Sequence, residues 1–189
     1  MPGDMNCIFT KVLIPFVETE VGDTGVAAIL REAGHTREYL IADHNWVPLA
    51  LADRLVHLAM EMTGETDEDR WARRFGNFGM DWKPTHEERS YMGAYTMGMG
   101  SPQAIYRRIG AVTAQVYRSF RTHVVEMHSA RAHFRLEVEP GSFMPRWLCT
   151  WMKVTIERYP TNWGLPRAIV NESQCAARGA DACVWDVRW

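Results

Sequence analysis

Three cysteines and one glutamate near the C-terminus have the types and spacing to hold a metal ion. The run from Asn171 to Cys183 carries a Glu-x-x-Cys-x7-Cys pattern built on Glu172, Cys175 and Cys183. Cys149 lies twenty-three positions before the glutamate, in Trp147-Leu148-Cys149-Thr150-Trp151. Three thiolates and one carboxylate complete a tetrahedral zinc shell, and a shell closed in this way leaves no position for a reacting water. The chemistry it suggests is structural: a zinc ion that holds elements together. The competing reading is a set of inert core cysteines, since cysteine is among the most buried residue types. Cys-x7-Cys alone is not a common zinc spacing; the carboxylate and the third thiol tip the balance towards metal. Cys7 is remote in sequence and reads as a packing residue.

The elements that must position these ligands follow from periodicity. Thr24 to Ala33 places Val26, Ile29 and Leu30 at helical spacing and is closed by Gly34. Pro48 opens an amphipathic run to Met62, with Leu51, Leu55, Leu58, Ala59 and Met62 on one face and Gly64 as a stop. A third helix covers Asp67 to Phe78, with Trp71 and Phe75 on its apolar face. Gly93, Gly98 and Gly100 weaken the segment after Glu87, which supports at most a short helix. Ser101-Pro102 opens a helix predicted to run to Phe120 on Ile105, Ile109, Val112 and Val116. The period then changes. Thr122 to His128 and Arg131 to Glu139 alternate as strands do, the second with Ala132, Phe134, Leu136 and Val138 on one side. Pro145 to Tyr159 is a helix bearing Cys149, and Arg167 to Ser173 and Ala182 to Arg188 are two more strands around a turn at Arg178-Gly179-Ala180-Asp181. The expected class is α+β: N-terminal helices packed on an antiparallel sheet, with β-β-α-β-β order in the C-terminal half. The parts expected are a helical 1–121 and a zinc-bearing 122–189, forming one compact unit. A zinc ion would tie the Cys149 helix to the Glu172–Cys183 hairpin.

Composition removes several function classes. The 189 residues carry 21 basic and 23 acidic side chains, so nothing resembles a nucleic-acid footprint. No run of eighteen apolar residues exists, so no membrane helix is expected. Met1 to Lys11 contains Asp4 and lacks a long apolar run, so no signal peptide is read and a cytoplasmic location is expected. In a reducing compartment, clustered cysteines bind metal more often than they pair. The chain ends at Trp189 directly after the last strand, as an excised domain would, although a natural terminus reads the same way. Neither a Gly-x-Ser-x-Gly elbow, a P-loop nor a Gly-x-Gly-x-x-Gly run occurs. Asp67-Glu68-Asp69 and Glu87-Glu88 read as solvated acidic faces, the former favourable at a helix N-terminus.

The stretch from Arg131 to Trp189 resembles the 4-vinyl-reductase-type small-molecule-binding domain. The match rests on its C-terminal Glu-x-x-Cys hairpin with a glycine before the last cysteine: Glu172, Cys175, Gly179 and Cys183. In zinc-bearing members, among them the phenol-responsive activators, an upstream cysteine completes the site, and Cys149 matches it. The superfamily includes haem nitric-oxide sensors and vesicle-tethering subunits. His44-Asn45-Trp46-Val47 and Met62-Thr63-Gly64 look like sensor modules found ahead of bacterial histidine kinases and nucleotide cyclases. Where phenol-binding members have an aromatic-rich segment after the upstream cysteine, this chain has Trp151-Met152-Lys153-Val154, so ligand identity does not carry over.

The resemblance implies a bacterial small-molecule-sensing domain, a homodimer, with a structural zinc and a fused or partner output domain such as a kinase or cyclase. Eight Trp, seven Phe, six Tyr and eleven Met suit an apolar pocket for a small apolar or aromatic ligand, although core filling is their ordinary role. Tyr106, Phe134, Trp147 and Trp151 are the expected lining, between the N-terminal helices and the sheet. His128 is a candidate inward hydrogen-bond donor. A catalytic constellation and a redox-cofactor fingerprint are both missing, so the reading is not an enzyme; a tetrapyrrole vinyl reductase or its accessory protein is the enzymatic alternative. A haem-binding gas sensor is the third reading, with His44 or His57 as ligand. For a lone histidine of this kind a structural role is the more common one. His123, His128 and His133 recur at five-residue spacing, but strand alternation puts His133 on the polar face and argues against a triple-histidine site.

Overall fold

The computed structural model describes residues 4–82 and 98–189. The chain divides into two compact units, Met1–Ser90 and Tyr91–Trp189. The class is α+β, a helical N-terminal unit followed by a unit built on a four-stranded antiparallel sheet. The expected short segment after Glu87, with Gly93, and the Glu87-Glu88 pair lie outside the described residues.

Among its described residues, the first unit contains a two-residue pair, β1 (Met5–Asn6) with β2 (Trp46–Val47), and five helices. These are α1 (Ile8–Val21), α2 (Asp23–Ala33), α3 (Arg37–Ile41), α4 (Leu49–Thr63) and α5 (Glu68–Asp81). The helices expected over 24–33, 48–62 and 67–78 are present. The glycines that stop the first two, Gly34 and Gly64, adopt left-handed backbone. Asp67 caps α5 by accepting from the Asp69 and Arg70 amides. Helix α1 is not legible from periodicity, because Pro15 lies inside it. It forms because Phe9, Leu13, Ile14, Phe16 and Val17 are all buried. Phe9, Phe16, Trp71 and Phe75 make one edge-to-face and stacked cluster with centroids 5.0 to 5.6 Å apart.

A buried ion pair ties α1 to the loop after α3. The Lys11 ammonium donates to Asp43 at 3.0 Å, with the two side chains 7% and 25% exposed. The Asp43 carbonyl accepts from the Asn6 amide, fixing the loop from the other side.

In the second unit, α6 (Pro102–Arg107) and α7 (Ile109–Ala114) precede β3 (Phe120–Met127) and β4 (Arg131–Val138). Then come α8 (Arg146–Arg158), a 3₁₀ turn over Tyr159–Trp163, β5 (Ile169–Gln174) and β6 (Ala182–Arg188). The strand order is β3-β4-β6-β5 with every pair antiparallel, and the β-β-α-β-β order matches the expectation. Ala132, Phe134 and Leu136 are fully buried, facing Val187, Trp185 and Cys183 across the β4–β6 register.

The continuous helix expected from Ser101 to Phe120 is corrected to two short ones. Arg108 leaves helical geometry at φ −108° and ψ 14°, and the chain turns again after Ala114. The apolar periodicity was real, since Ile105, Ile109 and Val112 are buried. It reported burial without reporting the break. The physical reason for the break lies at Gly110. A Cβ built there would sit 2.5 Å from the Thr122 carbonyl oxygen, so α7 lies directly on the β3 backbone. Residues 102–114 fall within the sheet-bearing unit Tyr91–Trp189.

Two stability outcomes follow. Asp43→Ala leaves the Lys11 charge buried and should cost about 2–3 kcal/mol in denaturant unfolding; adding Lys11→Met should recover most of it. Gly110→Ala must push α7 off the strand and should cost about 1–3 kcal/mol by the same measurement.

Candidate metal centre

Each ligand is placed by a local rule. Cys149 sits in the first turn of α8, its amide donating to the Pro145 carbonyl, and is buried. Glu172 pairs with Trp185 across the β5–β6 register. It therefore shares the inner face with Val170, and strand alternation turns a carboxylate towards the helix side. A register shift between Glu172 and Gln174 then bends the strand exit. Cys175 follows, and its carbonyl accepts from the Arg178 and Ala180 amides to close a tight 3₁₀ turn. Gly179, at φ 90°, supplies the left-handed backbone this turn needs. Cys183 is the second residue of β6, fully buried and opposite Leu136. Helix α8 packs on β5 and on the 3₁₀ turn, which brings Cys149 to the hairpin.

The result is one cluster. Among the described residues, Cys149, Glu172, Cys175 and Cys183 form the group whose ligand atoms all lie within 4.8 Å of one another. Cys149 Sγ is 3.4 Å from Cys175 Sγ, 3.6 Å from Cys183 Sγ and 3.1 Å from Glu172 Oε1. All the cysteines are free thiols. Corners of a tetrahedron about 2.3 Å from its centre are separated by about 3.8 Å, so the observed spacing fits a zinc shell with small adjustment. The donor set fits too, since thiolate and carboxylate are both ordinary zinc ligands.

The electrostatics point the same way. Hydrogen bonding to Cys183, burial and the neighbouring Glu172 carboxylate push the Cys149 thiol far above its ordinary pKa. Burial raises Cys175. Cys183 is lowered, first by the hydrogen bond from Cys149 and further by the Ala176 amide, which donates to its sulfur at 3.3 Å. In the metal-free cluster Cys183 therefore gives up its proton more readily than Cys149 or Cys175.

The residues expected to line a ligand pocket are placed in two groups. Tyr106 and Phe134 are fully buried with ring centroids 5.7 Å apart, and Tyr159 and Trp189 join them at 6.2 and 4.6 Å from Tyr106. The Tyr106 hydroxyl is already committed, donating to the Ile156 carbonyl at 2.8 Å. Trp147 is buried and Trp151 half-buried, 6.4 Å apart, and Tyr117 meets Trp151 edge-on at 6.4 Å. His128 does not turn inward. It lies at the β3–β4 turn, its side chain 62% exposed and 3.7 Å from Glu126. The hairpin closes there through the His128 amide and the Arg131 carbonyl, which leaves the imidazole outside. His44 and His57 are exposed as well, His57 beside Asp53. Cys7 is buried at the start of α1, as a packing residue should be. Sequence reasoning missed Trp185, whose indole N–H donates to Glu172 Oε1 at 3.1 Å. The signal was there: two residues after Cys183 on one strand means one shared face.

No protein-family model and no curated protein matches the chain. Solved structures do. An H-NOX protein from S. oneidensis in the Fe(II) ligation state superposes with a TM-score of 0.70 at 13% identity, over 97% of this chain and 95% of that one. The S. oneidensis protein in the Fe(II)NO state gives 0.69 at 13%, over 97% and 98%. The unliganded Fe(II) H-NOX protein from K. algicida gives 0.65 at 12%, over 97% and 96%. The chain thus has the H-NOX fold over 97% of its length.

Zinc binds thiolates, so every thiol still protonated must release its proton on binding. With two or three protons displaced, apparent zinc affinity should rise about 100-fold or more between pH 6.5 and 7.5 in a chelator competition corrected for the chelator's own protonation. Affinity that is flat across that range contradicts thiolate ligation.

Proposed function

We propose that this chain is a regulatory sensor domain of the H-NOX type with a structural zinc at Cys149, Glu172, Cys175 and Cys183. The observation that carries the metal is the four-ligand cluster, closed by three buried thiols and one carboxylate within 4.8 Å. The zinc would clamp α8 to the β5–β6 hairpin and leave no site for a reacting water. Likeness of fold to H-NOX proteins supports a sensor role, and the domain would signal to a fused or partner output domain, as a homodimer.

For the sensed ligand, the structural neighbours support haem with a diatomic gas: two are H-NOX proteins in Fe(II) and Fe(II)NO states, and another was studied for its haem redox potential. Haem iron needs an axial ligand such as histidine. Both histidines named for that role, His44 and His57, are exposed, and none of the described histidines is buried. His86 lies outside the described residues. Haem is therefore supported by fold likeness and not by an imidazole at hand. The second reading is a small apolar or aromatic molecule, supported by the Tyr106–Phe134–Tyr159–Trp189 and Trp147–Trp151 groups. Among the described residues, nothing beyond the Cys/Glu cluster supports an enzymatic role, and zinc held by all four of its ligands would leave no position for a reacting water.

Elemental analysis of the purified chain should find about one zinc per chain. Cys175→Ser should lose it and melt at lower temperature; a metal-free wild type of undiminished stability contradicts the clamp. Titration with haem should produce a Soret band that His44→Ala and His57→Ala leave unchanged. A missing Soret band, together with a rise in melting temperature on adding small aromatic compounds, selects the second reading.

A further inference from the structure

Of the four ligands in the cluster, Glu172 is the loosest. A cysteine sulfur is set by one side-chain torsion, whereas a glutamate carboxylate is reached through three, and fixing it costs rotamer entropy of up to about 2 kcal/mol. Three sulfurs are held by helix, turn and strand backbone. The carboxylate needs an anchor of its own, and the described residues supply one. The fully buried Trp185 donates its indole N–H to Glu172 Oε1 at 3.1 Å. That same oxygen lies 3.1 Å from Cys149 Sγ, on the sulfur side of the cluster. Trp185 is the register partner of Glu172 on β6, and follows Cys183 by two residues, so one strand presents both a metal ligand and the donor that aims another.

We infer that Trp185 is a positioning residue of the metal centre, whose N–H holds the Glu172 carboxylate with Oε1 turned towards the three sulfurs. The inference rests on the zinc reading above. Indole suits the task because it is a donor only: it cannot compete as a ligand or take up a proton from the thiols. Its N–H also draws negative charge from a shell whose three thiolates and one carboxylate outweigh the dication. The Ala176 amide plays the matching part on the Cys183 sulfur at 3.3 Å. Partners of this kind, one bond beyond the ligands, commonly set metal affinity by 10- to 100-fold.

The test uses the full chain and two versions of position 185. Trp185→Phe removes the N–H with part of the ring; site-specific replacement by benzothienylalanine removes only the N–H and keeps the shape. Zinc affinity is read by chelator competition, and ligand geometry by the visible spectrum of the cobalt(II)-substituted protein. Both versions should bind zinc about 10- to 100-fold more weakly, with altered cobalt d–d bands, while the metal-free benzothienylalanine protein melts as wild type does. In a Glu172→Ala background, Trp185→Phe should produce no further loss. Unchanged affinity and spectrum in the benzothienylalanine protein overturn the inference, as does an equal loss with and without Glu172. A wild-type chain that takes up no metal defeats the zinc reading and this inference together. A wild type that binds zinc while both variants bind equally well defeats this inference alone.

Discussion

Three sulfurs and a carboxylate cannot share one small buried volume as anions unless a cation joins them. Unit charges 4 Å apart repel by about 4 kcal/mol at the effective dielectric of a protein near its surface, and here the ligand atoms all lie within 4.8 Å. Alone, the cluster copes by staying protonated at Cys149 and Cys175. A dication at the centre would attract all four ligands and outweigh those repulsions. The sheet-bearing unit is arranged around this constraint: the first turn of α8, the exit of β5, a glycine-dependent 3₁₀ turn and the start of β6 all end at the same place. Hydrophobic burial alone would not require that a glutamate occupy the inner face of β5.

The clamp has a mechanical consequence within its unit. Strand β5 is an edge strand, paired on one side only, and helix α8 meets it. Edge strands and short turns are where domains open locally. Tying Cys149 to Cys175 and Cys183 through one ion would join helix, edge strand and its neighbour into a single cooperative element. A sensor must pass a change in one place to another through packed elements with few alternatives. A metal that removes looseness at the sheet edge would serve that need without taking part in ligand chemistry.

Much of this was legible in the sequence, for reasons that differ by element. The clustering was readable because a hairpin brings Glu172, Cys175 and Cys183 together, and the helix bearing Cys149 was expected beside it. The β-β-α-β-β order was readable because period-two patterns survive in a sheet with one polar face. Helix α1 was not, since Pro15 argues against a helix and only the burial of Phe9, Leu13, Phe16 and Val17 overrides it. The break at Arg108 was hidden because periodicity records which residues are buried, and Gly110 against Thr122 is a contact between backbones. His128 failed for a related reason: a turn places a side chain by its hairpin geometry, not by strand parity. Trp185 was missed because a tryptophan in a strand is ordinarily core, and its N–H becomes informative only when the carboxylate beside it is recognised as a ligand.

The proposed zinc centre would be the rigid corner of a unit with the H-NOX fold. X-ray absorption at the zinc edge of the purified protein tests that claim most directly. The account predicts three sulfur neighbours at about 2.3 Å and one oxygen at about 2.0 Å. A shell dominated by nitrogen or oxygen, or protein that carries no zinc at all, would contradict it.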